Sequence, residues 1–301
     1  MSFILAPSAK IAQELLSRGD ILLTVEAEYG DFVAEGSVFT AAHHQPAGTK
    51  FAGTHVGGSC PSPCNNESIP FVDGVVLVSH LDLDTFGGCL RTIPGFSDLF
   101  FKKHKTFWEL AEFVDVRGPH KLSESGASVS DLEKLRAFWA WSKRTLGRFP
   151  KDVPSDVTEY VLGAGHVLRL ILQGDEVMLQ DGRNLHAAEE DLNKRTFHQQ
   201  RGDVAVRIAT LREDFANHLY VSPTGVVSKA VACLNKASGS ITISLADPVP
   251  GVSCRDIVQE LWGPEAGGHE GIAGSPRERA MDEVDLEFVL WSLLAALERT
   301  S

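Results

Sequence analysis

Residues 74–91 read GVVLVSHLDLDTFGGCLR, and the rest of the chain is arranged around them. The apolar run Val75 to Val78 predicts a strand buried on both faces of a sheet, ending abruptly in the polar cluster His80, Asp82 and Asp84. Residues two apart on an extended segment project to the same face, so H-x-D-x-D offers one imidazole and two carboxylates on one side. Hard divalent cations such as manganese or magnesium favour that donor set, and two of them side by side can clamp a phosphoryl group. The plainer reading is a strand end whose Asp residues cap the following helix. Gly87 and Gly88 are expected to turn the backbone tightly and leave room for a ligand beside the start of that helix. The carboxyl ends of strands in open α/β sheets are where ligands bind, so chemistry is sought here first.

Outward from this stretch, 301 residues are enough for a sizeable core, with two domains as the expectation. Composition is that of a soluble globular chain, 43% hydrophobic, with no apolar run of membrane-spanning length. The N-terminus MSFILAPSAK lacks the basic and apolar regions of a secretory signal, so a cytoplasmic location is expected and no membrane partner. Net charge is −12 with scattered basic residues, which disfavours tracking of duplex DNA and leaves a nucleotide or short oligonucleotide open. The cysteines, Cys60, Cys64, Cys89, Cys233 and Cys254, are odd in number and mostly in apolar surroundings, as reduced thiols are.

Helices are expected over Ser8 to Arg18, Ser130 to Arg144 (with Ser130 and Glu133 as a capping box), Ser155 to Gln173, Val227 to Asn235, Asp256 to Leu261 and Asp282 to Glu298. Strands are expected over Ile21 to Ala27, Ser37 to Ala42, Glu112 to Val116, Glu176 to Gln180, Val204 to Thr210, His218 to Val221 and Ser240 to Leu245. The Gly, Pro, Ser and Asn content of 45–70 predicts a long loop. These elements alternate as in an α/β protein. The expected architecture is a mostly parallel sheet in an N-terminal domain, 1–201, followed by a smaller α/β domain, 202–301.

The segment VLVSHLDLDTFGG resembles the first motif of the DHH phosphoesterase superfamily, the RecJ-like exonucleases and nanoRNA phosphatases among them. SITISLADPVPGVSCRDIVQELWGPEAGGHEGIAG resembles the DHH-associated domain, so two matches fall in the right order at opposite ends of the chain. The resemblance implies a two-metal centre of manganese or magnesium in the N-terminal domain and a substrate-binding C-terminal domain. Carried over residue by residue, it gives His80 and Asp82 to one metal, Asp84 to the other, and Asp115 in FVDVRGPH to the lone bridging position. No DHH triplet occurs in the sequence. Its replacement is either His120, near Asp115, or the pair His43 and His44, which ends a strand with Ala42 where the carboxylate belongs and which precedes the first motif. Asp82, Asp84, Asp115 and His120 are then the catalytic set.

In GGHEGIAG, Gly267, Gly268 and His269 make a plausible phosphate cradle, with Arg255 and Arg277 as nearby cations; a tight turn with a surface histidine is the plainer reading. His55, Cys60 and Cys64 hold soft donors, but their spacing fits loop packing better than zinc. Trp108, Trp139 and Trp141 read as core rather than as a base-stacking platform. The expected function is metal-dependent hydrolysis of a phosphoester or phosphodiester in a nucleotide or short oligonucleotide. The alternative is a non-catalytic nucleotide-binding or interaction protein on the same scaffold, and a homodimer is a further possibility.

Overall fold

The computed structural model describes residues 1–29, 32–42, 55–56, 69, 71, 73–96, 98–147, 149–150, 152–276 and 279–300, without the side chains at 55, 56, 98 and 116. The chain divides into two compact units, Met1–Val116 with Ser125–Leu185, and Arg117–Glu124 with His186–Ser301.

The first unit runs β1 (Ser2–Leu5), α1 (Ala9–Leu16), β2 (Ile21–Val25), β3 (Glu28–Tyr29), β4 (Phe32–Val33), β5 (Phe39–Ala41), β6 (His55–Val56), β7 (Val75–Val78), α2 (Leu83–Arg91), α3 (Asp98–Lys103), α4 (Lys105–Arg117), α5 (Val129–Thr145), β8 (Ser155–Asp156), α6 (Thr158–Gln173) and the first part of α7 (Glu176–Arg195). Its sheet has the order β6-β5-β2-β7-β1-β8, parallel throughout except for β8 at one edge. The β2 and β7 side chains are almost all buried, the pattern of strands covered on both faces. Ile11, Ala12 and Leu15 of α1 cluster with Ile21 and Leu77. Elsewhere in the unit α2 and α5 pack on α6, and the Phe86 ring meets Phe138 and Trp141 edge-on at 5.9 and 6.0 Å. Because β5, β2, β7 and β1 are parallel, their carboxyl ends share one edge of the sheet.

The second unit continues α7 and adds β9 (Phe197–Arg201), β10 (Val204–Ala209), β11 (Ala230–Asn235), β12 (Ser240–Leu245), α8 (Cys254–Trp262), β13 (Gly267–Gly268), β14 (Ile272–Gly274) and α9 (Glu283–Glu298), together with a 3-10 turn at Pro119–Glu124. Its sheet order is β13-β14-β12-β11-β10-β9, with only β10 and β11 parallel. One face packs Val204, Val206, Ala232, Ile241 and Ile243 against Ile257 and Val258 of α8 and Leu286, Val289, Leu290 and Leu293 of α9. Cys233, Ala205 and Val231 form the other face with Ala216 and Leu219. No described helix is long and apolar enough to cross a membrane.

The α/β class and mostly parallel first sheet are as expected, and several elements differ. Glu112 to Val116 lies inside α4, and Glu176 to Gln180 begins the long helix α7; each was too short a window for alternation to separate strand from helix. Val227 to Asn235 is not a helix: Ala230–Asn235 is buried residue by residue as a central strand, which hides the period of two. His218 to Val221 makes only an isolated bridge, Val221 with Val227. The α5 cap is Ser128, whose hydroxyl accepts from the Asp131 N–H at 3.1 Å, two residues before the expected Ser130. A boundary at 201/202 would cut the β9–β10 hairpin between Arg201 and its paired Val204; the units instead divide within α7, and residues 117–124 join the second.

Candidate functional site

The carboxyl edge of the first sheet gathers the chemistry. β7 stops at Val78, and α2 begins because the Asp82 carboxylate accepts the Thr85 N–H at 2.8 Å as its N-cap. HLDLD is therefore not an extended segment with three donors on one face: His80 lies in the turn, Asp82 caps, and Asp84 sits buried in the first helical turn. The helix starts well before Gly87, so Gly87 and Gly88 are buried within it and do not form a ligand-binding turn.

His80 is held at both ring nitrogens. Nε2 lies 3.1 Å from Asp82 Oδ2, and Nδ1 lies 2.8 Å from Ser79 Oγ. The Ser79 hydroxyl also bonds the Glu26 carbonyl, so the ring is tied to the turn after β2 on one side and to a carboxylate on the other. Burial by itself lowers the His80 value, but the hydrogen bond and charge of Asp82, with Glu26 and Asp115 behind it, hold it above the ordinary 6.5. For Asp82 burial acts upward, and His80 and the Thr85 N–H overcome it and bring the carboxyl down to about 2.

The residue that the sequence reading missed is Glu26. It follows β2, beside β7 in the sheet, is 1% exposed and has φ 51, an uncommon backbone for a side chain of its size. Its N–H is fixed to the Ala41 carbonyl at 3.0 Å and its carbonyl by Ser79, so bonds from both neighbouring strands hold the turn. The available signal was a carboxylate placed directly at the end of an apolar run, ILLTVE, as in the opening motif. Asp115 sits on α4 and acts on His80 electrostatically, so it reaches the site's field from a helix and not from a strand end.

His120 is in the second unit. Its ring packs on Tyr220 at 5.2 Å, its Nε2 is 3.9 Å from Asp247 Oδ2, and Lys121 bonds the same oxygen at 2.5 Å. Burial keeps its pKa below the ordinary value and the ring neutral. Gly267, Gly268 and His269 also belong to the second unit and form a hairpin with β14. The His269 N–H is bonded to the Ile272 carbonyl at 2.7 Å, so this amide is not open for a phosphate. Arg255 Nε donates to the Gly268 carbonyl at 2.7 Å and fastens the hairpin to α8. Gly268 has φ 153, and a Cβ there would stand 2.4 Å from the Ile272 carbonyl oxygen. Gly268→Ala should thus destabilise the second unit by about 1–3 kcal/mol, read as a lowered thermal midpoint at unchanged far-UV circular dichroism.

His43, His44, Cys60, Cys64 and Arg277, and the side chain of His55, lie outside the described residues. Cys89, Cys233 and Cys254 are free and buried, and burial pushes Cys233 and Cys254 up to about 11 and about 12, which rules them out as thiolate nucleophiles near neutral pH.

The donor types fit a hard divalent cation, but among the described residues no group of three or more His, Cys, Asp or Glu converges as a metal site. Asp82 is occupied as a cap and His80 by Asp82 and Ser79. The described residues by themselves do not complete a two-metal centre.

The His80–Asp82 pair makes a pH dependence. His80 is raised above 6.5, so its share of stability is fully present below that pH and fades as pH rises through the raised value. Asp82 is lowered from 3.8, so its share is present above that pH and is lost as pH falls toward about 2. A nitrogen-15 imidazole titration of the metal-free protein should give His80 a midpoint above 6.5. Asp82→Asn should move it down, because burial then meets less opposition.

No family model matches the chain, and no curated protein matches it. Among solved structures it is similar to RecJ in complex with Mn2+ from Thermus thermophilus, at TM-score 0.37 and 14% identity over 97% of this chain and 47% of that one. It is also similar to a pGpG-specific phosphodiesterase, PggH, from Vibrio cholerae, at TM-score 0.39 and 11% identity over 76% and 85% of the two chains. An exopolyphosphatase-related protein from Bacteroides fragilis aligns at TM-score 0.35 and 11% identity over 96% and 88%.

Proposed function

We propose that the protein hydrolyses a phosphoester or phosphodiester bond of a nucleotide or short oligonucleotide at the edge built from Glu26, His80, Asp82 and Asp84. The observation that carries this reading is the placement of charge where β2 and β7 end: buried Glu26 after β2, buried Asp84 in the first turn of α2, and between those two segments the paired His80 and half-exposed Asp82. Three carboxylates repel a phosphate, so an anionic substrate needs positive charge interposed. A protonated His80 would supply some, and a divalent cation, when bound, would supply the rest and polarise the phosphoryl oxygen. Its ligands would come from Asp82 and Asp84, with His43 and His44 as further candidates. On the protein side, His80 is placed to donate a proton or hydrogen bond at Nε2 once a substrate oxygen competes with Asp82, and Asp82 keeps the ring oriented.

A non-catalytic nucleotide-binding protein is the second reading, and the buried Ala42 after β5, with no carboxylate there, is the observation that favours it. The two separate in one experiment. Metal-stripped protein is incubated with short oligonucleotides, dinucleotides and nucleoside phosphates, with and without Mn2+. The enzyme reading expects product in the Mn2+ arm alone, at least ~100-fold over the stripped protein. Nucleotide binding without turnover in either arm would establish the second reading.

A further inference from the structure

In the second unit, Leu286, Val289, Leu290 and Leu293 of α9 face the core, yet Val284, Phe288 and Trp291, spaced i, i+4 and i+7, are 61%, 60% and 63% exposed. β9 is the end strand of the sheet, and its pairing of Val204 with Arg201, Val206 with Gln199 and Ile208 with Phe197 puts Phe197, Gln199 and Arg201 on the helix-covered face. Phe197 is 51% exposed there. The strand and the stripe adjoin: Arg201 Nη1 is 3.5 Å from Glu287 Oε1, and its guanidinium lies 6.0 Å from the Trp291 ring centroid. α8 packs beside β12 to β14 and α9 over β10 and β11, so the place of the next helix in this layer, above β9, has no occupant among the described residues.

We propose that this place is filled by α9 of a second copy of the chain, antiparallel about a two-fold axis near Glu287 and Phe288. The stripe is self-complementary: Val284 and Trp291 lie symmetrically about that point, so the axis sets the large Trp291 of each copy against the small Val284 of the other. Charge supports the same occupant. In a chain of net charge −12 two copies repel, but the acidic group in the middle of the stripe, Glu287, is already neutralised by Arg201, so the seam brings no uncompensated charge together. Area supports it as well. The exposed parts of Phe197, Val284, Phe288 and Trp291 sum to roughly 450 Å² of apolar surface, more than half of the ~800 Å² per partner that a stable dimer needs. The inference is independent of the catalytic reading, since none of these residues belongs to the His80 edge.

Sedimentation velocity of the full chain at micromolar concentrations tests it. The wild type should sediment at twice 32.7 kDa, and Phe288→Glu with Trp291→Glu at 32.7 kDa with unchanged far-UV circular dichroism. Should that pair of changes unfold the chain, Val284→Arg replaces it and should raise the dissociation constant at least ~10-fold. The register is read by oxidation: Phe288→Cys should form a disulfide-linked dimer faster than Val284→Cys, whose two copies are separated by about 10 Å along the antiparallel helices. A wild type that stays at 32.7 kDa, or a folded variant, double or Val284→Arg, that keeps the wild-type dimer equilibrium, overturns the proposal. Equal linkage by the two cysteine variants overturns the antiparallel arrangement.

Discussion

Asp82→Asn should lower phosphoester hydrolysis by at least ~100-fold while keeping the α2 cap and costing at most ~1 kcal/mol of stability. Asparagine is as good an N-cap as aspartate, so the bond to the Thr85 N–H and the start of α2 survive. What disappears is the charge that faces His80 Nε2 at 3.1 Å. Because Asp82 would touch the reacting assembly directly, the rate should fall by at least ~100-fold, beyond the ~10–100-fold that follows loss of an outer-shell partner. The thermal midpoint should fall by no more than a few degrees, since a half-exposed ion pair contributes at most ~1 kcal/mol. Asp82→Ala separates the two roles: it should lose the same activity and, with the cap gone, about 1 kcal/mol or a few degrees of midpoint. Activity within a few-fold of wild type in Asp82→Asn, measured with Mn2+ on a substrate that the wild type cleaves, would remove Asp82 from the mechanism and leave it the role of a cap.

The largest effect on stability should come from Phe86→Ala. Phe86 is fully buried on α2, one turn after the capping Asp82, and its ring is gripped edge-on by Phe138 and Trp141. Emptying that position removes the transfer free energy of the ring and leaves a cavity that three elements must collapse to fill. About 3–5 kcal/mol should be lost, a large part of the ~5–15 kcal/mol that holds a domain together. In urea the first unit's transition should move to lower denaturant at unchanged slope, and Phe86→Leu should recover much of the shift. A Phe86→Ala midpoint equal to that of wild type would mean that α2 does not depend on this packing for its place.

Much of the site was readable because its signals are local. An apolar run that breaks into HLDLD marks a strand end on any fold of this class, and His80, Asp82 and Asp84 do stand at the carboxyl edge of a parallel sheet. Their geometry was not local. Whether Asp82 continues a strand or caps a helix depends on where α2 finds its packing partners, and Phe86 against Phe138 and Trp141 decides that. Glu26 was passed over for the same kind of reason: it lies far from Ser79 in sequence, and only the pairing of β2 with β7 puts them in contact. His120 was joined to Asp115 because the two are near in sequence, yet α4 ends between them and His120 packs on Tyr220, far along the chain.

By itself the sequence determined the α/β class, the strand that leads into HLDLD, the helices α1 and α9, and the acidic balance, since hydrophobic period and charge are properties of contiguous residues. Tertiary structure alone decided that β11 is a strand, that Glu26 joins the site, that His80 is held at both nitrogens, and that Trp291 and Phe288 are left facing outward. The physical reason is shared. A buried strand, a charge brought across a sheet edge and an uncovered helix face are each defined by what lies opposite them, and that partner is remote in sequence.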